Sequence, residues 1–216
     1  MKTICLFLFA HLIVFAVNAQ TNNEGKFFIT AGYGLAGSFF VRSYHEFAPI
    51  PNNKIFQKKN FVGNAQNFAV GYNLKNNWNI NVGINFQHFT RRIKSLDTLG
   101  NLILRLDHTI HHRDYMWFGS VNKNIERKKN NFLFGMGLYY LRPKQEEVVI
   151  YPNFVQNRER DFQTSKLEEG GAFIEFAYEY KFQPKVNLGL KSQFYHTITS
   201  GEATSVTLFP YIKISF

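Results

Sequence analysis

The chain has 216 residues, room for one domain of roughly 200 residues or two very small ones. It is 45% hydrophobic and 17% aromatic, with 24 Phe, yet holds a single cysteine, which excludes an intramolecular disulfide as a source of stability. Its formal charge of +10 invites a nucleic-acid reading, but the first segment of the chain points to export, where nucleic acid is rarely met.

Met1-Lys2 gives a short positive start and Ile4 to Val17 is almost wholly apolar. Val17-Asn18-Ala19 then sets small residues where a signal peptidase reads. Residues 1–19 are therefore expected to be a cleaved signal peptide, and residues 20–216 the mature domain. The apolar run is shorter than the ~20 residues a spanning helix needs, and the polar stretch Gln20 to Lys26 follows it. Cys5 lies in the leader, which leaves the mature chain no thiol and no lipid attachment site.

Strands follow in series, each with two-residue alternation. Phe27 to Phe39 places Phe27, Ile29, Ala31, Tyr33 and Leu35 opposite Phe28, Thr30, Gly32 and Gly34. Asn67 to Leu74 and Trp78 to Gln87 repeat the pattern; in the latter Trp78, Ile80, Val82, Ile84 and Phe86 oppose Asn79, Asn81, Gly83, Asn85 and Gln87. A fourth, less regular segment is placed from about Ile103 to Asn124, with a bulge or a protruding hairpin end around His111 to Asp114. Phe132 to Leu141, Ala172 to Tyr180, Val186 to Thr197 and Val206 to Phe216 complete about eight strands. A soluble sandwich would hide the apolar faces; a membrane barrel would turn them to lipid. Alternation alone fits both.

The connections separate the two. Lys75-Asn76-Asn77, Glu126 to Asn130 and Gln183-Pro184-Lys185 are short and rich in turn residues. Between them stand stretches read as longer: Val41 to Ala65, Leu96 to Asn101, Arg142 to Gly170 and Ser200 to Ser205. Short turns on one side and long loops on the other are the habit of outer-membrane barrels, and a sandwich has no reason for it.

The last strand ends on Phe216, with Leu208, Ile212 and Ile214 alternating back from it. This ending resembles the C-terminal signal of outer-membrane barrels, which implies recognition by the barrel-assembly machinery during biogenesis. Pro210 departs from the pattern, since a missing N–H costs a ladder bond or forces a bulge. Over essentially the whole mature chain the sequence resembles small outer-membrane barrels of the OmpX and OmpA transmembrane-domain type. It is similar above all to the outer-membrane β-barrel domain group that includes PorT-like proteins. The resemblance implies an all-β, antiparallel, up-and-down transmembrane barrel of about eight strands, both termini in the periplasm of a Gram-negative bacterium. It brings no peptidoglycan-binding domain.

Inside so small a barrel the chain's own side chains are expected to fill the space, leaving no diffusion pore. Gly32, Gly34, Gly71, Gly83, Gly135, Gly137 and Gly189 make room for Phe28, Tyr139, Tyr195 and Phe209. Glu175 and Glu179 on one strand, Lys191 and Lys213 on the next two, face inward and are expected to pair. His108, His111 and His112 with Asp107 and Asp114 raise a metal site, but adjacent His111 and His112 point to opposite faces of a strand. No metal, cofactor or catalytic residue is assigned. A lipid A deacylase would need a His-x-Ser-Asn motif where this chain reads His196-Thr197-Ile198-Thr199. In the loops, Tyr44, Phe56, Lys58, Lys59, Tyr151, Arg158 and Arg160 are candidate contacts for a protein or glycan partner. Membrane lipid and lipopolysaccharide are the other expected partners, and nucleic acid is not one. Three functions remain open at this point: a non-enzymatic surface barrel, an accessory factor for secretion or envelope assembly, and a lipid A-modifying enzyme.

Overall fold

A computed structural model describes residues 26–38, 61–99, 102–150, 155–160, 169–198 and 201–216. The expected signal peptide lies outside these residues.

The strands are β1 (Phe27–Ser38), β2 (Phe61–Asn73), β3 (Trp78–Leu99), β4 (Leu102–Arg127), β5 (Asn130–Ile150), β6 (Val155–Arg160), β7 (Glu169–Gln183), β8 (Val186–Thr197) and β9 (Glu202–Ser215). All pairings are antiparallel, each barrel strand lying against its chain neighbour, with β5 against β7. Pairing of β1 with β9 closes the sheet, so eight strands form a barrel without edges. The ninth, β6, pairs with β5 alone among the described strands, extending that strand above the wall.

Alternation dictates which face is which. Along β7 the inward residues Glu169, Gly171, Phe173, Glu175, Ala177 and Glu179 contrast with Ile174, Phe176, Tyr178 and Tyr180, all exposed on the outside. The same division runs round the wall, where Val82, Trp117, Phe134, Leu190 and Leu208 are exposed while Asn81, Phe118, Leu133, Lys191 and Phe209 are buried. A belt of exposed large apolar side chains on every barrel strand far exceeds the patches that water-facing monomers carry. The core is the lumen.

One end of the barrel is closed by tight connections. Lys75–Asn77 form a 3-10 turn in which Asn76 and Asn77 take positive φ, as does Lys128 in the β4–β5 turn, while Pro184 and Lys185 join β7 to β8.

The other end departs from the expected loops. β3 and β4 stay in register from Trp78↔Lys123 to Leu99↔Leu102, so the stretch read as a connection from Leu96 is strand and the fourth strand carries no bulge at His111 to Asp114. It is part of a protruding hairpin. β9 begins at Glu202, so the connection read from Ser200 is also short. Arg158 and Arg160 lie on β6 and not in a loop, because β5 runs to Ile150 and folds back. The loop candidates Tyr44, Phe56, Lys58, Lys59 and Tyr151 lie outside the described residues. Bulges occur between Lys181 and Gln183 and at Tyr195/His196.

Pro210 sits in unbroken register with Leu190 of β8. Towards β1 the ladder skips from Gly32↔Tyr211 to Leu35↔Leu208, and the register is the same on either side. The missing N–H thus interrupts a ladder and forces no bulge.

Candidate functional site

The lumen is where the chain collects its chemistry. Near the tight turns Glu179 is saturated. Its Oε1 accepts from Tyr211 Oη at 2.8 Å; its Oε2 accepts from Asn187 Nδ2 at 3.0 Å and Asn131 Nδ2 at 3.1 Å, with Lys213 Nζ at 3.4 Å. Lys213 also lies 4.3 Å from the centre of the Phe28 ring. Four residues up the same strand, Glu175 is sparsely held. Its Oε2 accepts from Gln193 Nε2 at 2.8 Å, Lys191 Nζ stands 3.9 Å away, and Oε1 has no hydrogen-bond partner among the described residues. Lys191 is turned over the Tyr211 ring at 5.0 Å. The register joins these groups, since Ala177 pairs with Lys191 and Lys191 with Phe209, which sets the inward side chains of three strands at one height.

A polar chain continues across the lumen. Asn85 Nδ2 donates to Tyr195 Oη at 2.7 Å, and Tyr195 Oη donates to Gln193 Oε1 at 2.7 Å. On the opposite wall Asn81 donates to Asn79 Oδ1 and Ser120 Oγ, and Asn79 donates to Asn124 Oδ1 at 3.0 Å. Above this lies an apolar plug of Ala69, Met116, Phe118, Tyr139, Leu141, Phe173 and Tyr195, none more than 4% exposed. Phe173 stacks on Tyr195 at 5.2 Å and meets Phe118 edge-on at 5.6 Å. Glycine makes the plug fit: a Cβ on Gly171 would stand 2.5 Å from the Tyr139 ring, and one on Gly32 2.6 Å from the Phe209 ring. At the hairpin end Tyr139 Oη, Thr197 Oγ1 and Thr204 Oγ1 share a hydroxyl cluster.

The histidines part company. His112 turns inward, its Nε2 2.7 Å from Asp114 Oδ1. His111 turns outward, its Nδ1 3.3 Å from His88 Nε2. No group of three or more metal-binding side chains exists among the described residues.

Eight strands in closed antiparallel order, a greasy outside and a packed polar inside decide the architecture. The fold is that of the small outer-membrane barrels. Neisserial surface protein A is similar over 88% of this chain and 97% of its own, at 11% identity and a TM-score of 0.53. Ail of Yersinia pestis (13% identity, 90% of this chain and 100% of that one, TM-score 0.47) and the N-terminal barrel of Pseudomonas aeruginosa OprF (8%, 90% and 100%, 0.44) are more distant in shape. The first likeness bears on fold alone. No family model and no curated protein matches the sequence.

Leu208, Ile212 and Ile214 of the C-terminal strand are exposed on the outer wall, and Phe216 donates its backbone N–H to Phe27 O at 2.9 Å. Alternation placed these residues; it could not supply the partner choices in the lumen, which depend on register across four strands. The signal that would have found the Glu179 cluster is an inward Asn on each flanking strand, Asn131 and Asn187, at the same distance from a tight turn.

Proposed function

We propose that the chain is an exported, non-enzymatic barrel of the outer membrane of a Gram-negative bacterium, holding its tight turns in the periplasm and presenting its hairpins as an interaction surface outside. The observation that carries this reading is the continuous apolar outer wall around a lumen filled by its own side chains. Trp78 through Phe86 matches the run of about 9–11 tilted residues that crosses a bilayer. Trp78, Tyr178 and Tyr180 lie near one border of that wall, with Tyr140 and Phe194 near the other, where amphipathic rings meet headgroups.

Against the lipid-modifying alternative, the position two residues after the exposed His196 is Ile198, which carries no hydroxyl to activate. The Phe173–Tyr195–Phe118 plug argues against a diffusion pore.

Fractionation with electrophoresis of boiled and unboiled samples tests the reading. A folded barrel should occur in the outer-membrane fraction, migrate differently once boiled, and give no steady conductance in a planar bilayer. A water-soluble periplasmic product without a mobility shift would sink it.

A further inference from the structure

Where β3 and β4 rise out of the wall, the outer face of their hairpin brings two imidazoles together. Phe86 and Tyr115 form an edge-on aromatic pair at 5.5 Å. Above them His88 stands opposite Arg113, and Thr90 opposite His111. His88 and His111 are therefore diagonal neighbours on one face, close enough for ring side chains to meet. His112, next in sequence, faces the lumen beside Asp114 and takes no part.

Nε2 of His88 lies 3.3 Å from Nδ1 of His111, while the ring centres are 5.5 Å apart and the planes inclined by 26°. The nitrogens are much closer than the centres, so the rings meet edge to edge, nitrogen facing nitrogen. With both rings neutral and no metal, one nitrogen keeps a proton and donates it to the other. The same separation is the chord between two ligands of a tetrahedral zinc ion, about 3.3–3.4 Å for bonds of about 2.0–2.1 Å.

The next strand adds a carboxylate. The β4–β5 ladder ends at His112↔Gln145, and beyond it Glu146 Oε2 accepts the His111 backbone N–H at 2.8 Å. His88, His111 and Glu146 thus come from three adjacent strands, and all three are half-buried, open to solution above the belt. Thr90 Oγ1 stands 3.4 Å from the same His111 nitrogen. Arg113, exposed beside His88, opposes a cation here, and the Glu146 charge offsets it.

We propose that His88 Nε2 and His111 Nδ1 ligate a divalent transition-metal ion of the zinc or copper kind, with Glu146 as its counter-charge. Neutral imidazole is a ligand these ions favour. On binding, each ring carries its proton on the other nitrogen, Nδ1 of His88 and Nε2 of His111, so that both inner lone pairs turn to the metal. Two protein ligands are fewer than the four of a closed structural site, and water or a donor from another molecule completes the sphere. The ion clamps β3 to β4 at the root of the protruding hairpin and exchanges with the medium.

The test titrates Zn²⁺ into the folded, tag-free barrel in detergent and follows binding by calorimetry. Wild type should bind, and His88→Ala and His111→Ala should each bind about a hundredfold more weakly, because either change destroys the chelate. His196→Ala removes an exposed imidazole from β8 and should bind as wild type does. Glu146→Gln keeps an acceptor for the His111 amide but loses the charge, and should weaken binding about tenfold. Cu²⁺ on the wild type gives a readout that no folding defect of a variant can disturb: the nitrogen hyperfine structure of its electron paramagnetic resonance should count two imidazoles. No binding by wild type, unchanged binding in either histidine variant, or a spectrum showing a single imidazole overturns the site. An unchanged Glu146→Gln overturns the carboxylate's part in it.

Discussion

Glu175 and Glu179 stand on one strand, face one lumen and are equally buried, yet the protein treats them differently. Glu179 gathers four donors from three other strands: Asn131 on β5, Asn187 on β8, and both Tyr211 and Lys213 on β9. Glu175, about 14 Å up the strand, has one short donor, a lysine at 3.9 Å and an oxygen with no hydrogen-bond partner among the described residues. Both carboxylates have a lysine nearby, and what sets Glu179 apart is its fuller complement of donors together with the shorter ion pair. Glu179 knits the tight-turn end; Glu175 is tolerated in the middle.

The largest effect should follow from breaking the saturated site. Glu179→Ala strands Lys213 in the lumen and should lower the unfolding free energy by about 3–5 kcal/mol, measured by urea titration in lipid vesicles. A smaller loss, equal to that at Glu175, would break the comparison. Glycine comes next: Gly171→Val should cost about 1–3 kcal/mol by driving its side chain into the His196 carbonyl oxygen and the Tyr139 ring, seen as a lower midpoint with unchanged slope. Glu175→Gln should cost only about 1–2 kcal/mol, since the short contact is to a neutral amide and Lys191 keeps the Tyr211 ring. Double-mutant cycles sharpen the contrast, with coupling of Glu179 to Lys213 exceeding that of Glu175 to Lys191 by about 1 kcal/mol or more.

The smallest effect lies beyond the belt, at His88. Its folded-state titration should fall below the ordinary histidine value of 6.5, because burial and then Arg113 disfavour the imidazolium. Between that lowered midpoint and 6.5 the unfolded chain binds more protons, so this histidine makes stability fall as the pH drops through that window. Arg113→Gln should move the midpoint back up, followed by NMR of the imidazole protons.

Much of this was legible in the residues. Alternation from Trp78 to Phe86 named both faces of β3, and Asn76-Asn77 and Pro184-Lys185 named the turns, because one buried face and two positive-φ positions leave few alternatives. The length of the hairpins was not. Past Phe89, β3 reads Thr90-Arg91-Arg92-Ile93-Lys94-Ser95, with no apolar face to mark a strand, since there the hairpin leaves the wall. Which Glu meets which Lys was equally hidden. So was the row of His88, Arg113 and Lys144, whose members are far apart in sequence and adjacent only through register.

The proline of the last strand has a kinetic meaning. First and last strands are the pair that synthesis separates most, so their junction is the natural last step in closing the cylinder. That junction is also where the ladder is two pairs short, leaving Tyr33 and Gly34 paired with β2 alone among the described strands. The seam made last is thereby the seam easiest to part, and deuterium entering the wall should mark Tyr33, whose amide faces β9, before Gly34, whose amide stays in the β2 ladder.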